Sequence, residues 1–273
     1  MLKTIRLASL MAVLLPGLAF ASAEKSQLID EIIDKSGMEA SLESLPAQFQ
    51  AQAMQQKPYT KEPEAVEELM QILSNSADMQ TMQATMAQTF NNKMSLAELK
   101  EVKTWLDSDL GSQIAKAEAE ASNPANMQDI QMFAASFQTQ PPSQEKIAAV
   151  QNFVEKSKLV ESAMNMVEQI IGSTVNSLEQ FNEQPDPNKA EQVVTQAKAM
   201  MEPMLWQQMI LMSHYTYQNF SVEEINQYTQ YLTTNTGKKY LETGIEGITA
   251  VITQIMETAS PQIKQAAEAH KKG

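Results

Sequence analysis

The chain has 273 residues, 43% of them hydrophobic, no cysteine, and a formal net charge of −13. Lacking cysteine, it has neither a disulfide framework nor thiol chemistry, so its stability must come from packing. Its acidity, with Arg6 as the only arginine, opposes nucleic-acid binding and adsorption to anionic lipid, both of which rest on cationic contacts.

The first residues have the three parts of an export signal. Lys3 and Arg6 form a basic start, Leu7 to Phe20 an apolar stretch, and Ala21-Ser22-Ala23 a small-residue end. Pro16-Gly17 interrupts the stretch, which is too short for a membrane anchor. The pattern predicts a signal peptide over residues 1–23, cut between Ala23 and Glu24, with the Ala21/Ser22 bond as second choice. Its removal would lower the net charge from −13 to −15 and leave a soluble periplasmic or secreted protein with no membrane anchor.

The remaining chain reads as helical throughout. Glycine is scarce, at 8 residues, and Ala, Gln, Glu, Met and Lys dominate. Apolar residues recur at helical spacing, as in Ile147, Val150 and Val154, then Val160, Met164, Val167 and Ile171. Pro141-Pro142-Ser143 reads as a hinge, dividing a unit at 24–140 from one at 144–273. Asp186-Pro187 and Ser260-Pro261 read as helix starts, with proline at the first helical position.

The two units align with each other. Residues 94–111 (MSLAELKEVKTWLDSDLG) lie without a gap over 220–237 (FSVEEINQYTQYLTTNTG), and 34–49 lie over 155–170. Ser95 and Ser221 fit N-caps, with Glu98 and Glu224 three residues on to complete capping boxes. Met94 with Leu99, and Phe220 with Ile225, fit the hydrophobic staple that sets the entry angle. Leu96, Leu99, Val102, Trp105 and Leu106 form one apolar stripe, repeated at 222, 225, 228, 231 and 232. Ser108 and Thr234 fit N-caps of a following helix, with Gly111 and Gly237 in its first turn, where a missing side chain permits close helix approach.

This pattern, carried by Ser95, Glu98, Trp105 and Gly111 and again by Ser221, Glu224, Tyr231 and Gly237, resembles the domain-of-unknown-function 2059 family of exported bacterial helical proteins. Where that family often has proline after the second cap, this chain has Asp109 and Asn235. The resemblance implies a fold and an exported location, and brings no activity with it. The expected architecture is all-α: two similar antiparallel helical units in tandem, with no sheet.

Few residues suggest chemistry. Of two histidines, His270 lies in the C-terminal tail and His214 among apolar and aromatic residues, with no Ser or Asp partner at a suggestive spacing. Carboxylate pairs such as Glu67/Glu68 and Glu223/Glu224 fit solvated helix faces. The 19 methionines are unusual. Most fall at core spacings, but flexible thioethers also suit adaptable binding surfaces. Thioethers bind Cu(I), which makes Met209, Met212 and His214 candidate metal ligands.

The leading expectation is a non-enzymatic binding or scaffold protein, taking a protein or small apolar ligand in a Met/aromatic groove, without a cofactor. The alternatives are a hydrolase-like enzyme centred on His214 and a Met/His copper-binding protein. Oligomeric state is not legible in the sequence.

Overall fold

The computed structural model describes residues 15–60, 63–179, 186 and 188–270. Among them are twelve α-helices and no strand: α1 (Leu15–Lys35), α2 (Met38–Gln56), α3 (Pro63–Ser76), α4 (Met79–Lys93), α5 (Leu96–Leu106), α6 (Asp109–Ser122), α7 (Met127–Thr139), α8 (Gln144–Ser157), α9 (Leu159–Glu179), α10 (Lys189–Thr216), α11 (Val222–Thr233) and α12 (Asn235–His270). None of the described helices is long and apolar enough to cross a membrane. Residues 1–14 of the expected signal lie outside the described residues, as does Pro187. In the uncut chain α1 runs straight through the Ala23–Glu24 bond.

Both capping boxes form. Ser95 Oγ accepts from the Glu98 N–H at 3.3 Å, while Glu98 accepts from the Ser95 N–H at 2.7 Å. Ser221 and Glu224 repeat this at 3.2 and 2.7 Å. Met94 and Leu99 are buried in one core, as the staple requires. Ser108 and Thr234 then cap α6 and α12, accepting from the Gly111 and Gly237 N–H groups at 3.1 and 3.0 Å.

At these two corners the preceding helix ends directly against the next one. A methyl at Gly111 would overlap the Trp105 carbonyl oxygen, and one at Gly237 would overlap that of Tyr231. The chain therefore turns sharply, and α6 and α12 each leave the helices that precede them.

Where they go decides the architecture. One core is built from α1 to α5, with Ala115 of α6, and is completed by Tyr240, Val251, Ile255 and Ala259 of α12. The other is built from α8 to α11 and is completed by Ile114 of α6. Ile114 and Tyr240 each stand three residues past their corner glycine, and each is buried in the opposite core. The hinge at 141–143 is non-helical as expected, but it does not separate two self-contained cores.

α1 and α5 run in the same direction, tied by Glu24–Lys100, Glu31–Lys103 and Lys35–Asp107. α8 and α11 do likewise, with Lys146 at the start of one bonded to Phe220 before the other, and Phe153 stacked on Tyr228 further along. Trp105 and Tyr231 meet face to face between the cores, their ring centroids 4.2 Å apart and their planes 8° from parallel.

The start expected at Ser260–Pro261 is absent: α12 continues through Pro261 to His270. Proline forfeits one bond of the helical ladder. Burial of Val251, Ile255 and Ala259 on the same helix holds it continuous.

Replacing Gly111 with Ala should destabilise the protein by about 3 kcal/mol, because backbone rather than a movable side chain must shift. Gly172→Ala in α9 is the control: its new methyl would meet only Val194, at 3.9 Å. It should be neutral or stabilising by up to about 1 kcal/mol. Urea unfolding of the two variants tests the contrast.

Candidate functional site

The junctions α1–α2 and α8–α9 are alike in backbone, each with one left-handed residue: Gly37 at φ 75° and Lys158 at φ 55°. Their neighbours differ. A methyl on Gly37 would sit 2.6 Å from the Ala119 Cβ, so α2 begins directly against α6. Small residues, Ala115 and Ala119, stand four and eight positions past Gly111. The positions four and eight past Gly237 carry Leu241 and Ile245 instead. Bulk at these two positions, and a lysine in place of Gly37, keep α9 off α12. A groove of about 880 Å³ opens between them, against about 550 Å³ for the crevice between α2 and α6.

Leu232, Leu241, Ile245, Ala250 and Met166 give the groove an apolar side. α9 and α12 run the same way along it: they set out from the C-terminal ends of the parallel helices α8 and α11, and further along Thr249 Oγ1 meets Met166 Sδ at 3.7 Å. Eight charged side chains line it, four Lys and four Glu. Lys93 pairs with Glu246 at 2.5 Å, Lys158 with Glu161 at 2.9 Å and Lys238 with Glu242 at 3.7 Å. Lys156, at the α8–α9 junction, and Glu257, far along α12, have no ion-pair partner among the described residues. Thr249 and Thr253 donate their hydroxyl protons to the carbonyls of Ile245 and Thr249, at 2.8 and 2.9 Å. Thr249 is also placed to donate to Met166 Sδ, so what the two hydroxyls offer a ligand is acceptor lone pairs.

The sequence-derived candidates lie elsewhere. Met209 and Met212 are half-buried on α10, whereas His214 is 1% exposed, its ring 4.9 Å from Phe137. Met212 and His214 differ by about 200° around the helix, so they face nearly opposite sides and do not converge on one ion. No group of three or more His, Asp or Glu able to hold a metal occurs among the described residues. Neither His214 nitrogen has a hydrogen-bond partner among the described residues. Burial first, and the nearby Lys146 charge second, lower its pKa to about 4. A neutral imidazole without an orienting partner or a nucleophile is not arranged for acyl transfer.

The methionines divide by environment. Met82, Met86, Met94 and Met164 are core residues, as their spacing suggested. Met200 and Met204 are 66% and 70% exposed, and Trp206 is 38% exposed. They form no part of the groove, whose only methionine among the described residues is Met166 and whose described lining holds no aromatic residue.

One buried polar cluster had no signal in the sequence. Glu118 reaches from α6 into the second core, where its Oε1 accepts from Tyr217 Oη at 2.6 Å and Tyr228 Oη at 2.9 Å. Burial raises the Glu118 pKa, and the two phenols oppose that rise by bonding to the carboxylate. Lys146 donates to the carbonyls of Gln218 and Phe220 at 2.6 and 2.8 Å, and burial lowers its pKa. The residues joined by Glu118 are 99 and 110 positions away in the chain, beyond any local pattern.

No family model, curated protein or solved structure matches this chain.

The His214 shift predicts a pH dependence. Its folded pKa lies below its ordinary value of 6.5, so the unfolded chain binds the proton more readily. Its stabilising contribution is complete above pH 6.5 and is lost as pH falls toward 4, at most about 3 kcal/mol. Urea midpoints measured against pH should show that loss in the wild type and a shallower one in His214→Leu. Glu118→Gln should keep an acceptor for both phenols. Glu118→Leu strands them and should cost about 2–4 kcal/mol more than Glu118→Gln in the same assay.

Proposed function

We propose that this chain is an exported, non-enzymatic binding protein whose ligand site is the groove between α9 and α12. The observation that carries the reading is the groove itself. Its volume of about 880 Å³ falls in the range of ligand sites, and it combines an apolar side with charged and hydroxyl-bearing walls. The leader at residues 1–23 supports export to a periplasm or the exterior. The paired motifs at Ser95–Gly111 and Ser221–Gly237 support two diverged copies of one unit, related to the domain-of-unknown-function 2059 family. In that reading one copy narrowed its crevice with small residues and the other widened it for binding.

The site differs in character from the Met/aromatic groove expected from composition. Charged and hydroxyl-bearing residues stand beside its apolar ones, so the ligand must satisfy hydrogen bonds as well as cover Leu241 and Ile245. The copper and hydrolase alternatives draw no support from His214, which is buried, faces away from Met212 and lacks a hydrogen-bonding partner.

Native mass spectrometry tests the reading. The mature protein, incubated with a concentrated envelope extract and then desalted, should carry discrete added masses. Thr253→Trp places an indole in the groove from an exposed position and should remove them. An unmodified mass for the wild type, or added masses that survive Thr253→Trp, would sink the proposal.

A further inference from the structure

We infer that the occupant of the α9–α12 groove is an extended peptide of about nine residues, apolar and cationic, with its C-terminal carboxylate at Lys156 and its amino end toward Glu257. This rests on the groove being the binding site and adds the class of ligand and its direction.

Length comes first. From Lys238 to Glu257 the lined part of α12 spans about 28 Å at the helical rise, the reach of an extended chain of eight or nine residues. Charge comes second. Three lysine–glutamate pairs neutralise six of the eight charged side chains. Among the described residues this leaves an unpaired lysine where the groove begins and an unpaired glutamate far along its α12 wall, so the opposite charges stand toward opposite ends, as the two termini of such a chain require.

Hydrogen bonding decides between a peptide and a fatty acyl chain. Thr249 and Thr253 direct their protons to helix carbonyls, and Thr249 is also placed to donate to Met166 Sδ, so what both present to a ligand is acceptor lone pairs. A hydrocarbon laid over them would cover acceptors without satisfying them, at a cost in free energy. A peptide brings an N–H at nearly every residue. Its apolar side chains can cover Leu241, Ile245 and Met166, while the net charge of −13 draws in cationic side chains and repels acidic ones.

The probe is an unlabelled nonapeptide of alternating Lys and Leu with free termini, titrated calorimetrically into the mature protein. Saturable one-to-one binding is expected, abolished by Thr253→Trp. Amidating the peptide C-terminus should weaken it about tenfold through loss of one charge-assisted contact. Lys156→Glu should weaken the free acid similarly and make amidation inconsequential, which locates the carboxylate. Glu257→Lys should weaken both peptides alike. All three substituted residues are exposed, and circular dichroism checks that each variant remains helical.

No saturable binding overturns the inference. So does tighter binding of palmitate or of the alternating Glu/Leu nonapeptide, or an amidation effect unchanged by Lys156→Glu. If the peptide fails while added masses sensitive to Thr253→Trp appear in the extract experiment, the groove remains the site and the peptide assignment falls.

Discussion

The face-to-face contact of Trp105 with Tyr231 is the hinge-pin of the molecule. It lies where α5 and α11 pass each other, and both rings pack on both cores. A stacked aromatic pair contributes about 1 kcal/mol beyond the area it buries, so its importance is geometric more than energetic. The carbonyls of these same two residues abut the corner glycines, Gly111 and Gly237. One contact thereby fixes both the separation of α5 from α11 and the points from which α6 and α12 depart. Glu98 reinforces it from outside: the carboxylate that closes the α5 capping box also receives Lys239 of α12 at 2.7 Å. That lysine first, and the Ser95 bonds second, pull its pKa down to about 2.

The exchange of helices was not legible in the sequence, although nearly every helix involved was. Capping boxes and apolar stripes are local, and they located α5, α6, α11 and the start of α12 closely. The stripes show which face is covered and say nothing of what covers it. Tyr240 and Ile255 look alike whether they face their own segment or the other one. Pro261 misled for a related reason: a proline preceded by serine is a sound local start signal, and it was overruled by the buried face of Val251, Ile255 and Ala259, onto which Ile263 also packs. His214 was legible as a residue among apolar neighbours. Its complete burial without a hydrogen-bonding partner depends on α7 and α8, which no local pattern brings there.

The groove was legible in a different sense. The alignment that pairs Gly111 with Gly237 also pairs Ala115 with Leu241 and Ala119 with Ile245, a change from small to bulky along one helix face. Small residues allow helices to meet, and larger ones hold them apart. A cleft can therefore arise from a difference between two otherwise corresponding surfaces, with no residue of obvious chemical promise. The exposed Met200, Met204 and Trp206 are what composition suggested for binding, yet they sit on α10 outside the groove.

The passage of α12 into the first core has a consequence for biosynthesis. Phe90 packs on Tyr240, 150 residues later, and the lid over α3 and α4 is supplied by residues beyond 250. A chain emerging from its N-terminus cannot complete its first hydrophobic interior until almost all of it has been made, since distant contacts come with a large loop-closure cost. Under the export proposed above, in which a chain is threaded unfolded through a narrow translocation channel, such delay is useful. The arrangement that makes the finished molecule one cooperative body also keeps the nascent one loose until its last helix arrives.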